Sequence, residues 1–244
     1  MPETAIIGTY EHPGIPGAMV TAGRAHLAGW ANRHCGIREN RRFACDIETF
    51  GVGTDGLRIK CVVLATSDVV AVFDPRDPFQ HQLLTNLLRD AEALIFHTST
   101  FDVPSLVYNG LMHATDVNKV TDIVIYARMA EPGDLPPKTL EALSHRHLGL
   151  TSDPITNTFK VLGYSKQVGF HKLDLDSPSY LFGAAADGIA TARLEPVLRL
   201  AAHDRLSTGH PFSGLQPQRT GWAVQEVEKH QMFNQINLRR QVKG

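Results

Sequence analysis

Cysteine is scarce in this chain: Cys35, Cys45 and Cys61 are all there is, with no Cys-x-x-Cys spacing. An odd, scattered set of thiols supports neither a disulfide framework nor a thiolate zinc site, and a reducing, cytoplasmic setting is the expectation. Histidine is more abundant, at 12 residues, but no His-Glu-x-x-His occurs, so the zinc-peptidase signal is missing. No apolar run approaches the roughly 20 residues that a membrane-crossing helix needs, and no membrane partner is expected. Met1 to Tyr10 lacks the charged start and apolar stretch of a secretion signal. Neither sign of charge dominates either: 24 basic residues meet 25 acidic ones. Proteins that grip long duplexes neutralise many phosphates and carry a basic excess. That class is excluded, whereas a cleft holding a few nucleotides beside metal ions is not.

What is present fits a globular protein: 244 residues, 43% of them hydrophobic and 20% charged. Such a length allows one domain with extensions or two small domains. The chain is organised around Arg42 to Gly51, where an apolar run ends in Asp46 and Glu48 and a glycine-rich segment follows. Side chains alternate along a strand, so Phe43, Cys45 and Ile47 face a core while Ala44, Asp46 and Glu48 share the other face. Adjacent carboxylates repel, and hard divalent cations such as Mg²⁺ take oxygen ligands. Taken alone, Asp-x-Glu is more often the acidic, water-facing end of a strand, and the case depends on the rest of the chain.

Before Arg42 the sequence is mixed, with a loop at Pro13 to Gly17 and a short helix over Ala22 to His34. After Gly51 to Gly56, which reads as loop, Ile59 to Thr66 and Val69 to Phe73 are β-rich runs separated by Ser67-Asp68, the pattern of a hairpin. Leucine spacing predicts a helix over Phe79 to Leu94. A buried strand, Ala93 to His97, and a helix through Tyr108 come next, then a strand at Lys119 to Asp122 and a helix at Ile123 to Ala130. Pro132 to Pro137 breaks that helix, and Thr139 to Leu148 forms another, ended by Gly149 as C-cap. Thr151 to Pro178 is polar and weakly patterned, Tyr180 to Ala202 is a long alanine-rich helix, and a helix over Trp222 to Val242 follows a linker. The predicted fold class is α/β, ribonuclease-H-like: a mixed five-stranded sheet, antiparallel meander plus parallel α/β units, flanked by helices.

Further acids fall where that fold brings them near the first pair. Asp102 follows the end of a buried strand, where α/β ligand sites open; it also suits a helix N-cap. Asp187 shares a helix face with Tyr180, Gly183, Ala184 and Thr191, whose small residues allow close approach to the sheet. An acid amid alanines needs a metal, an arginine or water.

Asp46-Ile-Glu48-Thr49, Phe101-Asp102 and Ala-Ala-Ala-Asp187-x-x-x-Thr191 resemble the three motifs of the four-acid (DEDD) 3′–5′ exonucleases. The similarity is greatest to the proofreading domains of family-A DNA polymerases, phage types included, and to their relative ribonuclease D. Thr121 to Met129 and Lys138 to Gly149 resemble two further segments of that family, so the likeness runs from about Arg42 to Leu200. It implies residues 42–203 as the exonuclease domain, 1–41 as an N-terminal extension and 204–244 as linker and C-terminal helix. It also implies two Mg²⁺ or Mn²⁺ ions, on the order of 4 Å apart, straddling the scissile phosphate. Asp46, Glu48 and Asp187 would hold one, and Asp46 with Asp102 the other. Nucleic-acid contacts would come from Thr49, Phe101, Thr98, His97 and Lys138, with Phe101 suited to base stacking or, equally, to the core.

The sequence departs from the family in two places. A general base is expected four or five residues before the last acid, where Gly183 and Phe182 stand. Tyr180 lies on the same face, roughly 10 Å away along the helix axis, and is the remaining candidate. Thr98 occupies a position commonly held by Asn. Residues 221–244 resemble the helix leading family-A exonuclease domains into their polymerase domain; a simple capping helix fits as well. The implied partners are a single-stranded DNA 3′ end and a DNA polymerase domain or replication protein, in a proofreading or replication setting. Two other readings stand beside this one: a decayed exonuclease-like binding domain, and a ribonuclease-D-like RNA exonuclease.

Overall fold

A computed structural model describes residues 7–35, 41–51, 57–133, 136–150, 163–165, 168–169 and 172–207. The expected loop over 52–56, most of the polar region from 151, and the linker and C-terminal helix beyond 207 fall outside the described residues.

Among them the chain builds β1 (Gly8–Glu11), β2 (Met19–Ala22), α1 (Arg24–Cys35), β3 (Arg42–Thr49), β4 (Ile59–Ala65) and β5 (Val69–Phe73). These are followed by α2 (Pro78–Asp90), β6 (Ala93–Phe96), α3 (Ser99–Tyr108), a 3₁₀ turn (Ala114–Lys119) and β7 (Val120–Asp122). Helices α4 (Ile123–Ala130), α5 (Leu140–Leu148) and α6 (Pro178–Ser207) complete it. One sheet has seven strands in the order β1-β2-β5-β4-β3-β6-β7. The meander β3-β4-β5 is antiparallel, and β6 and β7 add to it in parallel.

The sheet therefore exceeds the expected five strands. Both extra strands come from the segment before Arg42: β2 pairs in parallel with β5, and β1 with β2 antiparallel. Each is four residues long, too short for a periodic signal, and β2 is fixed by a β5 edge far along the chain.

Local chemistry accounts for the rest. The β4–β5 hairpin closes through Thr66 N–H donating to the Val69 carbonyl. Asp77 caps α2 by accepting from Phe79 and Gln80 N–H, with Pro78 opening the helix. Thr139 caps α5, and Gly149 ends it at φ 66°, a left-handed C-cap. The alternation along β3 divides two cores. Phe43, Cys45 and Ile47 pack with Trp30, Leu84, Leu87 and Val103 on one face. Ala44 packs with Ile123, Leu143, Ala184 and Ile189 on the other, beneath α4, α5 and α6.

Candidate active site

Asp46 and Glu48 project from β3 toward α6, with Val63 and Cys61 of β4 as their cross-strand neighbours. Helix α6 lies hard against that surface. A Cβ on Gly188 would stand 2.6 Å from Val63 Cγ1 and 3.3 Å from Ala65 Cβ, so only a glycine lets the helix backbone rest there. The neighbouring Asp187 is thereby delivered to the β3 acids. Carboxylate oxygens of Asp46, Glu48 and Asp187, all half-buried, lie within 4.8 Å of one another. Three like charges so close repel strongly. Oxygen donors at this spacing, partly desolvated, fit a hard divalent ion such as Mg²⁺ or Mn²⁺.

Asp102 stands beside this group rather than in it. It is 4% exposed, and its Oδ1 accepts the Ile47 N–H at 3.1 Å, the peptide between Asp46 and Glu48. The N-cap reading fails, because Thr98 occupies that position and Asp102 sits inside the first turn of α3. Burial pushes its pKa up to about 8, against the pull of the Ile47 N–H. A cation nearby would favour the ionised form.

The turn before α3 is strained. Thr98 adopts φ 66°, the one non-glycine among the described residues with positive φ, a region β-branched side chains rarely enter. Asp122 holds the turn: its carboxylate accepts from Thr98 N–H, Ser99 N–H, Ser99 Oγ and Val124 N–H. Sequence reading gave Asp122 no such role, although an acid at a strand–helix junction is a capping signal.

The other expected residues are placed as follows. Phe101 is 42% exposed, so the core alternative does not hold. Thr49 is half-buried, its hydroxyl donating to the Gly51 carbonyl. His97 bonds through Nε2 to the Lys138 carbonyl, and the Lys138 ammonium turns to the Pro136 carbonyl and Glu131. Tyr180 is wholly buried, its hydroxyl 3.8 Å from Cys61 Sγ and its ring under the Lys60 ammonium at 4.3 Å. Burial, with Cys61 and Glu48 nearby, drives the phenol pKa far upward, so Tyr180 is a neutral group here. Gly183 is buried within α6.

Lys60 was missed in the sequence. It is 3% exposed, and burial lowers its pKa while Cys61, Asp174 and Glu48 oppose that shift. A lone lysine inside the apolar run Ile59 to Ala65 was the available signal.

No protein-family model and no curated protein matches the sequence. Solved structures do. RNase D of Trypanosoma brucei in complex with GMP is 16% identical with a TM-score of 0.56, covering 88% of this chain and 63% of its own. The chain thus spans under two thirds of that RNase D. Brucella melitensis NrnC with bound Mg²⁺ is 18% identical with a TM-score of 0.54, covering 84% of this chain and 86% of that one. The EXO domain of Aedes aegypti Nibbler is 15% identical with a TM-score of 0.54, covering 84% and 95%. At these identities the likeness shows the fold alone, a seven-stranded mixed sheet with helices, here with a carboxylate cluster suited to divalent metal. Among the described residues no helix is long and apolar enough to cross a membrane.

Proposed function

We propose that this chain is a metal-dependent 3′–5′ exonuclease that removes nucleotides from single-stranded or frayed 3′ ends. The observation that carries the reading is the convergence of Asp46, Glu48 and Asp187, with Asp102 bonded to the intervening peptide, on a fold shared with RNase D, NrnC and the Nibbler EXO domain. Asp46, Glu48 and Asp187 would hold one divalent ion, and Asp46 with Asp102 would help hold a second. When bound, such ions supply an activated water and neutralise charge on the phosphate and the leaving 3′-oxygen. The chain's own groups supply the rest. Phe101, exposed beside Asp102, stacks on a terminal base. Thr49, Thr98, His97 and Lys138 border the strand's path. Tyr180, buried and neutral, positions Lys60 and the α6 surface rather than accepting a proton. General acid–base help is typically worth 10²–10⁴-fold, and no side chain of this chain is assigned that part, so a reduced rate is expected.

The resemblance to family-A proofreading domains supports DNA and a proofreading or replication role, with a polymerase domain or replication protein as partner, although the motifs themselves do not separate DNA from RNA. The RNase D likeness supports RNA as well. Matched 5′-labelled DNA and RNA oligonucleotides, incubated with Mn²⁺, separate the two. Stepwise shortening of one or both by the wild type and none by Asp46→Asn is expected. Equal products from both proteins, or none from either, would leave a decayed binding domain as the better reading.

A further inference from the structure

The sheet face that carries the acids continues beyond them toward Lys60, Arg58 and Arg76, with Asp74, Asp174 and Asp176 close by. Alternation along β3 returns to the same side at Phe50, whose N–H donates to the Arg58 carbonyl at 3.0 Å, so the strands remain paired past Glu48. Between these points the ladder slips. Glu48 faces Cys61 while Thr49 faces Ile59, which leaves Lys60 as the extra residue of a β-bulge. A bulge re-aims the side chain it inserts. Ile59 stays in the core with Ile47, whereas the Lys60 ammonium reaches over Tyr180 on the α6 side.

Cations converge on the Phe50 ring: Arg58 Cζ at 5.2 Å from its centroid, Arg76 Cζ at 5.3 Å and Lys60 Nζ at 5.9 Å. Their settings differ. Lys60 is buried and donates to the Leu173 carbonyl. Arg76 is oriented by Asp74, with Nε to Oδ1 and Nη2 to Oδ2 both at 2.8 Å, yet its side chain stays 52% exposed. Arg58 is exposed, and among the described residues its guanidinium makes a cation–π contact but no ion pair. The ring's quadrupole attracts each cation and holds like charges together that would otherwise spread apart. An exposed guanidinium held over an aromatic ring matches a phosphate oxygen pair.

We propose that Phe50, Arg58 and Arg76 form a phosphate-binding subsite for the single strand, upstream of the phosphate held at the acids. The inference rests on the exonuclease reading and extends it. Direction follows from the chemistry: when a 3′-terminal nucleotide is removed, every further phosphate lies on the 5′ side. Distance follows from the strand. Phe50 is two residues beyond Glu48, about 7 Å along an extended chain, which is on the order of one step between neighbouring phosphates of a single strand. The subsite thus takes the phosphodiester one or two positions upstream. It reads charge and not bases, so it confers grip without sequence preference.

The test is binding of single strands that carry one uncharged methylphosphonate linkage, moved stepwise from the 3′ end, with Ca²⁺ as the cation and salt varied. For the wild type, affinity drops most when the neutral linkage is second or third from the end. In Arg58→Ala that linkage no longer matters, and the slope of log K against log salt falls by about 0.7. Arg58→Lys restores the slope, and both variants keep the wild-type unfolding midpoint and Mn²⁺ affinity. If Arg58→Ala and Arg76→Ala bind the strand with unchanged slope and the same linkage profile, the subsite is refuted while the exonuclease reading stands. If the wild type neither binds nor shortens any strand, the exonuclease reading falls and this inference with it.

Discussion

Replacing Gly188 by alanine adds one methyl group where α6 meets β4. That methyl would start 2.6 Å from Val63 Cγ1 and 3.3 Å from Ala65 Cβ. Ordinary carbon contacts sit near 3.5–4.0 Å, so helix or strand must yield by about 1 Å. Val63 is fully buried and β-branched, with little freedom to swing away. Overpacking of this kind costs about 1–3 kcal/mol, and the better helix propensity of alanine returns about 1 kcal/mol. The net loss of stability is therefore about 0–2 kcal/mol. The larger effect is on the site. Val63 is the cross-strand neighbour of Asp46, and Asp187 precedes Gly188, so a shift there spreads carboxylates that now lie within 4.8 Å. Metal–oxygen bonds near 2.1 Å tolerate little of that, and a loss of about tenfold or more in Mn²⁺ affinity is expected by calorimetry, beside a modest drop in urea midpoint. Val63→Ala in the same chain opens room for the methyl and recovers the affinity. A Gly188→Ala protein with wild-type midpoint and wild-type Mn²⁺ affinity would refute the close-approach argument.

Thr98 carries a left-handed backbone that costs an ordinary residue about 1–2 kcal/mol and Asn less. Thr98→Asn is thus expected to raise stability by about 1 kcal/mol in urea melts, and a destabilised variant would contradict the strain. Asp102 supplies a pH dependence. Its carboxyl, near pKa 8 in the fold against 3.8 ordinarily, keeps its proton in the native state where the unfolded chain has lost it. Its contribution is therefore full below about pH 4 and is lost as pH rises toward 8. Metal-free wild type should lose stability between pH 5 and pH 8, and Asp102→Asn, which keeps an oxygen for the Ile47 N–H, should lose much less. Parallel curves for the two proteins would contradict the burial assignment.

Much of this was legible before the structure, and the limits have physical causes. The period of β3 told which residues face the core, because alternation depends on the strand alone. The hairpin at Ser67-Asp68, the Gly149 cap of α5 and the order of the acids are likewise local features. What escaped depends on pairing. β1 and β2 are strands because an edge of β5 is present to bond β2. Lys60 reaches the α6 side only because the ladder slips beside Glu48, which no propensity records. The cluster on Phe50, just past β3, joins Arg58 before β4, Lys60 within it and Arg76 after β5, which share no spacing. Asp102 also suited a helix N-cap until Thr98 was seen at that position, and Phe101 also suited the core until its exposure was seen.

The central claim is that the acids on β3 and α6 hold divalent metal. Anomalous scattering from a crystal of the protein soaked in Mn²⁺ tests it most directly. A peak bounded by Asp46, Glu48 and Asp187, absent in Asp187→Asn, is the expected result. A wild-type map with no Mn²⁺ among those three carboxylates, at concentrations that saturate other sites, would contradict it.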